Sequence, residues 1–319
     1  MMSHSRLILP SCERSAFGTD DFIIKTHLVL ANDERTSIVY SSRLLCACGD
    51  GTEIYVKKYI NLGANVNCRD LLGNTPLHLA CQSQSINPEI ITTLLKNNCI
   101  PNEKNNEQLS FVSFKGNTPL HLACRSYCEN QEIITTLLKN NCIPNEKNKE
   151  GDTPLHLACR NPNINSEIIT TLLKNNCKPN EKNNEGNTPL HSACRNDEIH
   201  MRNPEIITTL LNNNCKPNEK NNEEQLFHLG DTPLHLACSK YHINTEIITT
   251  LLKNNCKPNE KNNEGNTPLH LACRNYNIHT EIITTLLKNN CKPNEKNNEV
   301  NKINAFFFNA SKHKSNLYL

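Results

Sequence analysis

The sequence predicts an all-α solenoid of short helix-turn-helix units, and three observations predict it. The string Thr-Pro-Leu-His starts at Thr75, Thr118, Thr153, Thr188, Thr232 and Thr267, at intervals of 43, 35, 35, 44 and 35 residues, so the base period is 35 with two insertions. A second block, Glu-Ile-Ile-Thr-Thr-Leu-Leu, starts at Glu89, Glu132, Glu167, Glu205, Glu246 and Glu281, once in each unit. Self-similarity at a period of roughly 20–50 residues marks a stacked repeat array. Only 36% of the 319 residues are apolar and 5% aromatic, with no Trp. That is too little for one large core around a central sheet.

The elements follow in order within residues 153–187. Thr153 is a side-chain N-cap, Pro154 takes the first helical position where its missing N–H costs nothing, and Leu155, Ala158 and Cys159 share a face. The small Ala158 and Cys159 let a neighbouring helix approach. In the second segment Asn165 or Ser166 caps, Glu167 complements the positive end of the helix dipole, and Ile168, Ile169, Leu172 and Leu173 form the buried stripe. Each helix spans about two to three turns, too short to persist alone in water, so stacking on neighbouring units supplies the stability.

A Thr-Pro-Leu-His-Leu-Ala helix, a second helix ending in Leu-Leu, a loop ending in Pro-Asn and a Gly-Asn-Thr-Pro return together resemble the ankyrin repeat, over roughly residues 42–299. The resemblance implies an array of stacked helix pairs with projecting hairpin loops. The period of 35 exceeds the family's usual 33, and Asn176-Cys177 and its equivalents replace the usual Gly-Ala. Residues 42–74 serve as an internal control. Ser42-Arg43-Leu44-Leu45-Cys46-Ala47-Cys48 aligns with the first-helix block, Ser42 to Thr75 spans 33 residues, and Gly63-Ala64 stands where later repeats have Asn-Cys. The extra residues of later repeats fall between the helices. Asn98, Asn141, Asn176, Asn214, Asn255 and Asn290 replace Gly63, and Asn is the next-best residue for the left-handed conformation that ends a helix. Seven repeats result, near 42–74, 75–117, 118–152, 153–187, 188–231, 232–266 and 267–299. Residues 1–41 read as an N-terminal cap or poorly ordered segment, and residues 300–319, with Phe306-Phe307-Phe308, as a C-terminal cap or tail.

Two cysteines recur per repeat, one ending the first helix (Cys81, Cys124, Cys159, Cys194, Cys238, Cys273) and one after the second (Cys99, Cys142, Cys177, Cys215, Cys256, Cys291). His78 with Cys81 at i, i+3 invites a metal reading, but structural zinc needs four converging ligands. Compact apolar packing is the preferred reading. The resemblance implies that each histidine ties down the turn ahead of its helix. A disulfide ladder is the remaining option, disfavoured by 17 cysteines, an odd number, and by the shortness of Leu7-Ile8-Leu9 as a secretory core. No metal and no cofactor are expected. The chain has no Gly-rich phosphate loop, Gly-x-Ser-x-Gly elbow or His-Glu-x-x-His helix, and no enzyme activity is expected.

Binding therefore becomes the functional class, and a protein partner the expected ligand. After the helix-terminal cysteine stand Arg125, Arg160, Arg195 and Arg274, with Gln82 and Ser239 in other copies and Lys240 one place on. The resemblance places this row along a concave groove, where it would suit an acidic protein surface. The competing reading is a solvated surface repeated by duplication. Two inserts, residues 107–116 and 223–230, hold Leu109, Phe111, Phe114, Leu226 and Phe227 in a chain poor in aromatics. They are either exposed anchors on projecting loops or segments folded back on the adjacent repeat. A formal net charge of +2 and the absence of interleaved aromatics argue against nucleic acid. No run approaches the roughly 18–20 apolar residues of a membrane span. A monomeric intracellular array is expected, in the cytoplasm rather than the nucleus. The alternative is a targeting or adaptor array of a larger enzyme or signalling assembly.

Overall fold

A computed structural model describes residues 33–85, 87–105, 116–126, 131–195, 204–222, 230–239, 244–274 and 280–298. Among them are fourteen helices and no β-strand. The chain divides into two compact units, Met1–Ile143 and Pro144–Leu319.

In the first unit, α1 (Asp33–Asp50) pairs with α2 (Glu53–Asn61), followed by the pairs α3 (Pro76–Gln82) with α4 (Pro88–Lys96) and α5 (Pro119–Arg125) with α6 (Gln131–Lys139). First helices stack in the order α1, α3, α5 and second helices in the order α2, α4, α6. The opening helix begins at Asp33, nine residues ahead of Ser42 where the repeat pattern starts. The second unit repeats the arrangement. Its first helices are α7 (Pro154–Arg160), α9 (Pro189–Arg195), α11 (Pro233–Cys238) and α13 (Pro268–Arg274). Its second helices are α8 (Ser166–Lys174), α10 (Pro204–Asn212), α12 (Thr245–Lys253) and α14 (Thr280–Lys288). Each set stacks in chain order.

Local chemistry starts and stops each helix. Thr75, Thr118, Thr153 and Thr232 occupy N-caps and form a reciprocal capping box with the histidine three residues on, and proline follows at the first helical position. Asn165, rather than Ser166, caps α8, accepting the Ile168 amide at 3.0 Å. At the far end Asn175 Nδ2 donates to the Thr171 carbonyl (2.8 Å), Asn176 turns left-handed at φ 66°, and the Cys177 amide closes onto the Leu172 carbonyl (3.1 Å). The equivalents Asn98, Asn141, Asn214, Asn255 and Asn290 all lie between φ 62° and 64°. The conformational reason for Asn in place of Gly63 (φ 88°) is therefore as the sequence predicts.

Between helices of seven and nine residues, packing does the rest. Ile168, Ile169 and Leu172 of α8 are each fully buried, and each such side chain contributes about 1.5–3 kcal/mol. Polar ladders link successive repeats beside this core. Asn105 Nδ2 donates to Asn74 Oδ1 (2.9 Å), Asn183 to Asp152 (2.7 Å), Asn221 to Asn187 (3.1 Å) and Asn262 to Asp231 (2.8 Å). These residues are buried, and a buried amide without partners would cost stability, so pairing each with the next repeat fixes the stacking register. Much of the chain's complement of 52 Asn is thus structural.

Candidate functional site

The first helices settle what a partner can touch. In α5, α7 and α9 every residue from the proline to the last cysteine is buried. The side chain offered outward is the arginine that follows. Arg125 and Arg274 are exposed. The Arg160 guanidinium lies 3.2 Å from Oδ2 of Asp152, whose side chain is 1% exposed. Arg195 forms an ion pair with Glu185 of the preceding loop. In the row expected from the sequence, Arg160 and Arg195 are thus oriented by carboxylates of the loops just ahead of their helices. Lys240 lies outside the described residues, as do Leu109, Phe111, Phe114, Leu226 and Phe227.

The histidines and thiols are engaged in holding the repeats together. The Thr75 amide donates to His78 Nδ1 (3.1 Å), which leaves the proton on Nε2, and Nε2 lies 3.0 Å from the Asn117 carbonyl of the next repeat. His156, His191 and His235 reach the carbonyls of Asn187, Asp231 and Asn266 at 3.0, 3.1 and 2.9 Å. Burial lowers the basicity of these rings, to about 4 for His78 and His191. Cys142, Cys177, Cys215, Cys256 and Cys291 donate to the carbonyl of a proline in the previous repeat at 3.5–3.7 Å. Burial pushes each of these thiols up to about 12, so they stay protonated and unreactive. Among the described residues no cluster of three or more His, Cys, Asp or Glu side chains is arranged to hold a metal ion.

Comparison with known proteins agrees with this geometry. The family model "Ankyrin repeats (3 copies)" matches residues 44–148, 127–221 and 200–297. The chain belongs to the ankyrin-repeat family. It is similar in fold to the crystal structure of the human ASB11 ankyrin repeat domain, with a TM-score of 0.61 and 24% identity over 78% of this chain and 98% of that one. No curated protein matches it. Ankyrin repeats are in general protein-interaction modules, and the family fold carries no reaction of its own. No helix among the described residues is long and apolar enough to cross a membrane.

One feature of this ankyrin array escaped the sequence reading. From the second repeat on, each loop carries Asn-Glu-Lys-Asn, and these residues have distinct partners. The first Asn clamps the following repeat: Asn145 accepts the Lys178 amide (2.7 Å) and donates to the Asn176 carbonyl (2.8 Å), and Asn180, Asn218 and Asn259 repeat the pattern. The Lys spans to the next repeat's Glu: Lys147 to Glu181, Lys182 to Glu219, Lys220 to Glu260 and Lys261 to Glu295, at 3.0–3.3 Å. Lys182 beside it holds the Glu219 carboxyl below its ordinary range. The recurrence of Asn-Glu-Lys-Asn at a fixed register was the available signal; as a single loop it reads only as polar.

Proposed function

We propose that the chain is a non-enzymatic scaffold whose first-helix ends and inter-repeat loops capture an acidic protein partner. The supporting observation is the burial of α5, α7 and α9 up to their last cysteine, which leaves the following arginine as the outward group at a fixed repeat interval. Because Asp152 and Glu185 already orient Arg160 and Arg195, a partner carboxylate would meet guanidinium groups that have little rotamer freedom left to lose. Leu109, Phe111, Phe114, Leu226 and Phe227 of the two inserts would add apolar anchors, and Lys240 a further charge. The array acts as a monomer in the cytoplasm.

The test uses Arg125 and Arg274, the exposed pair. Arg125→Glu with Arg274→Glu should lower cross-linking to the native protein partner about tenfold, more so at low salt, with the urea midpoint unchanged. Capture equal to that of the unaltered chain would overturn the acidic-partner reading.

A further inference from the structure

The turn that follows each second helix carries a second charged surface, built from residues other than the arginines. In the second unit this turn presents Lys178, Lys216, Lys257 and Lys292. Their backbone amides are each held at 2.7 Å by the Asn clamp of the preceding repeat. Each of the first three lies 3.3–3.9 Å from the Glu three residues on, and that Glu is already bridged by a lysine of the previous repeat. Two lysines therefore share one carboxylate, leaving one positive charge per repeat in excess. The surplus is outermost: Lys178, Lys216 and Lys257 have side chains 67–68% exposed, against 27–29% for the glutamates they flank. Exposed Lys174, Lys253 and Lys288 at the preceding helix ends add to the same edge.

Spacing decides what fits. Stacked helices lie about 8–10 Å apart, so the surplus charges recur at roughly that interval. A polyproline II chain advances about 9 Å per turn of three residues, and an acidic residue at every third position would place all its carboxylates on one side at that pitch. An extended β-chain would alternate them between faces. Duplex nucleic acid carries a charge every ~1.7 Å and would meet the intervening glutamates. We propose that the lysine ridge of the second unit docks an acidic, polyproline II segment of a protein partner, with one carboxylate per repeat. The proposal rests on the reading of the chain as a protein-interaction array but uses none of the arginines.

Calorimetry on the full chain tests it with a synthetic peptide of about five Glu-Pro-Pro triplets. A second peptide of equal charge has Glu at every fourth position, so that its carboxylates spiral round the helix, and an oligothymidylate of equal charge supplies the nucleic-acid arm. The period-three peptide should bind about tenfold more tightly than the period-four peptide and more tightly than the oligothymidylate, weakening about tenfold between ~50 and ~200 mM salt. Lys178→Gln, Lys216→Gln and Lys257→Gln together should weaken it at least tenfold, while Arg125→Glu with Arg274→Glu should leave it unchanged. Equal binding of the two peptides, insensitivity to the lysine changes, or tighter binding of the oligothymidylate would overturn the proposal. Loss of partner cross-linking in the arginine variant alongside any of these results would leave the scaffold reading standing and sink the ridge alone.

Discussion

At one turn position the two units differ in surface while sharing a backbone. In the first unit the residue two places after the left-handed Asn is Ile100 or Ile143, each 46% exposed; in the second it is Lys178, Lys216, Lys257 or Lys292. The same device holds both kinds. Asn67 and Asn102 accept the amides of Ile100 and Ile143 at 2.8 and 2.7 Å, as Asn145 does for Lys178 at 2.7 Å. Among the described residues every exposed large hydrophobic, from Ile38 to Ile143, lies in the first unit. The comparison teaches that the clamp fixes the backbone without reference to the side chain. Surface chemistry is thereby released from the folding problem at this position.

The largest expected difference between the units comes from acid. Burial holds His78 in the first unit, and His156, His191 and His235 in the second, neutral below the ordinary value of 6.5. The unfolded chain takes up protons near pH 6.5 where the folded chain does not, so this contribution is whole above that pH and is lost as pH falls towards about 4. At pH 5 His78 and His191, held to about 4, each cost the fold about 2 kcal/mol, and His156 and His235 act in the same direction. Hydrogen exchange at pH 7 and pH 5, corrected for intrinsic rates, should show the second unit losing more protection than the first. Equal losses would mean that the ring environments do not differ in number of proton-linked sites.

Removing the clamp should cost less and should cost the same in both units. Asn180→Ala frees the Lys216 amide and the Asn214 carbonyl, and Asn102→Ala frees the Ile143 amide and the Asn141 carbonyl. Two partly solvated bonds are worth roughly 1–2 kcal/mol together. Urea unfolding of the two variants should agree within about 0.5 kcal/mol. A clear gap would show that the side chain at the turn takes part in the clamp after all.

What could be read from the sequence follows from how far apart interacting residues lie. The Thr-Pro start, the Ile and Leu stripe and the left-handed Asn depend on neighbours within one turn, and the sequence pattern carries them directly. The Asn clamp and the Lys to Glu bridges join residues 31 or more positions apart, and only the identity of a loop string at equal register hints at them. Among the arginines, Asp152 standing where Asn74, Asn117, Asn187 and Asn266 occur was the one visible sign that Arg160 has a buried counter-charge. The early start of α1 had no repeat signal because nothing before Ser42 follows the period.

Ser192 makes a smaller contrast inside the second unit. Its hydroxyl is buried and has no hydrogen-bond partner, at a position where α5, α7 and α11 bury Leu122, Leu157 and Leu236. An unsatisfied buried hydroxyl opposes folding, and the leucine of the sister repeats would add apolar burial. Ser192→Leu should therefore stabilise the second unit by about 1 kcal/mol, raising its urea midpoint while the first unit's stays put. A loss would indicate that the neighbouring helices have closed over the smaller side chain.

The smallest expected effect tests the comparison at its root. Ile100→Lys with Ile143→Lys changes only exposed side chains on a clamped backbone, and surface changes of this kind usually fall within about 0.5 kcal/mol. The reverse exchange, Lys178→Ile, removes one of the two lysines beside Glu181, and an exposed ion pair is worth at most about 1 kcal/mol. The first variant should unfold at the urea midpoint of the unaltered chain and the second slightly below it, with the difference shrinking at high salt because only the second involves charge. A cost above about 1 kcal/mol for the isoleucine changes, independent of salt, would mean that Ile100 and Ile143 cover apolar surface of the first unit. The turn would then be part of that unit's core, and its side chain could not vary without a cost to the fold.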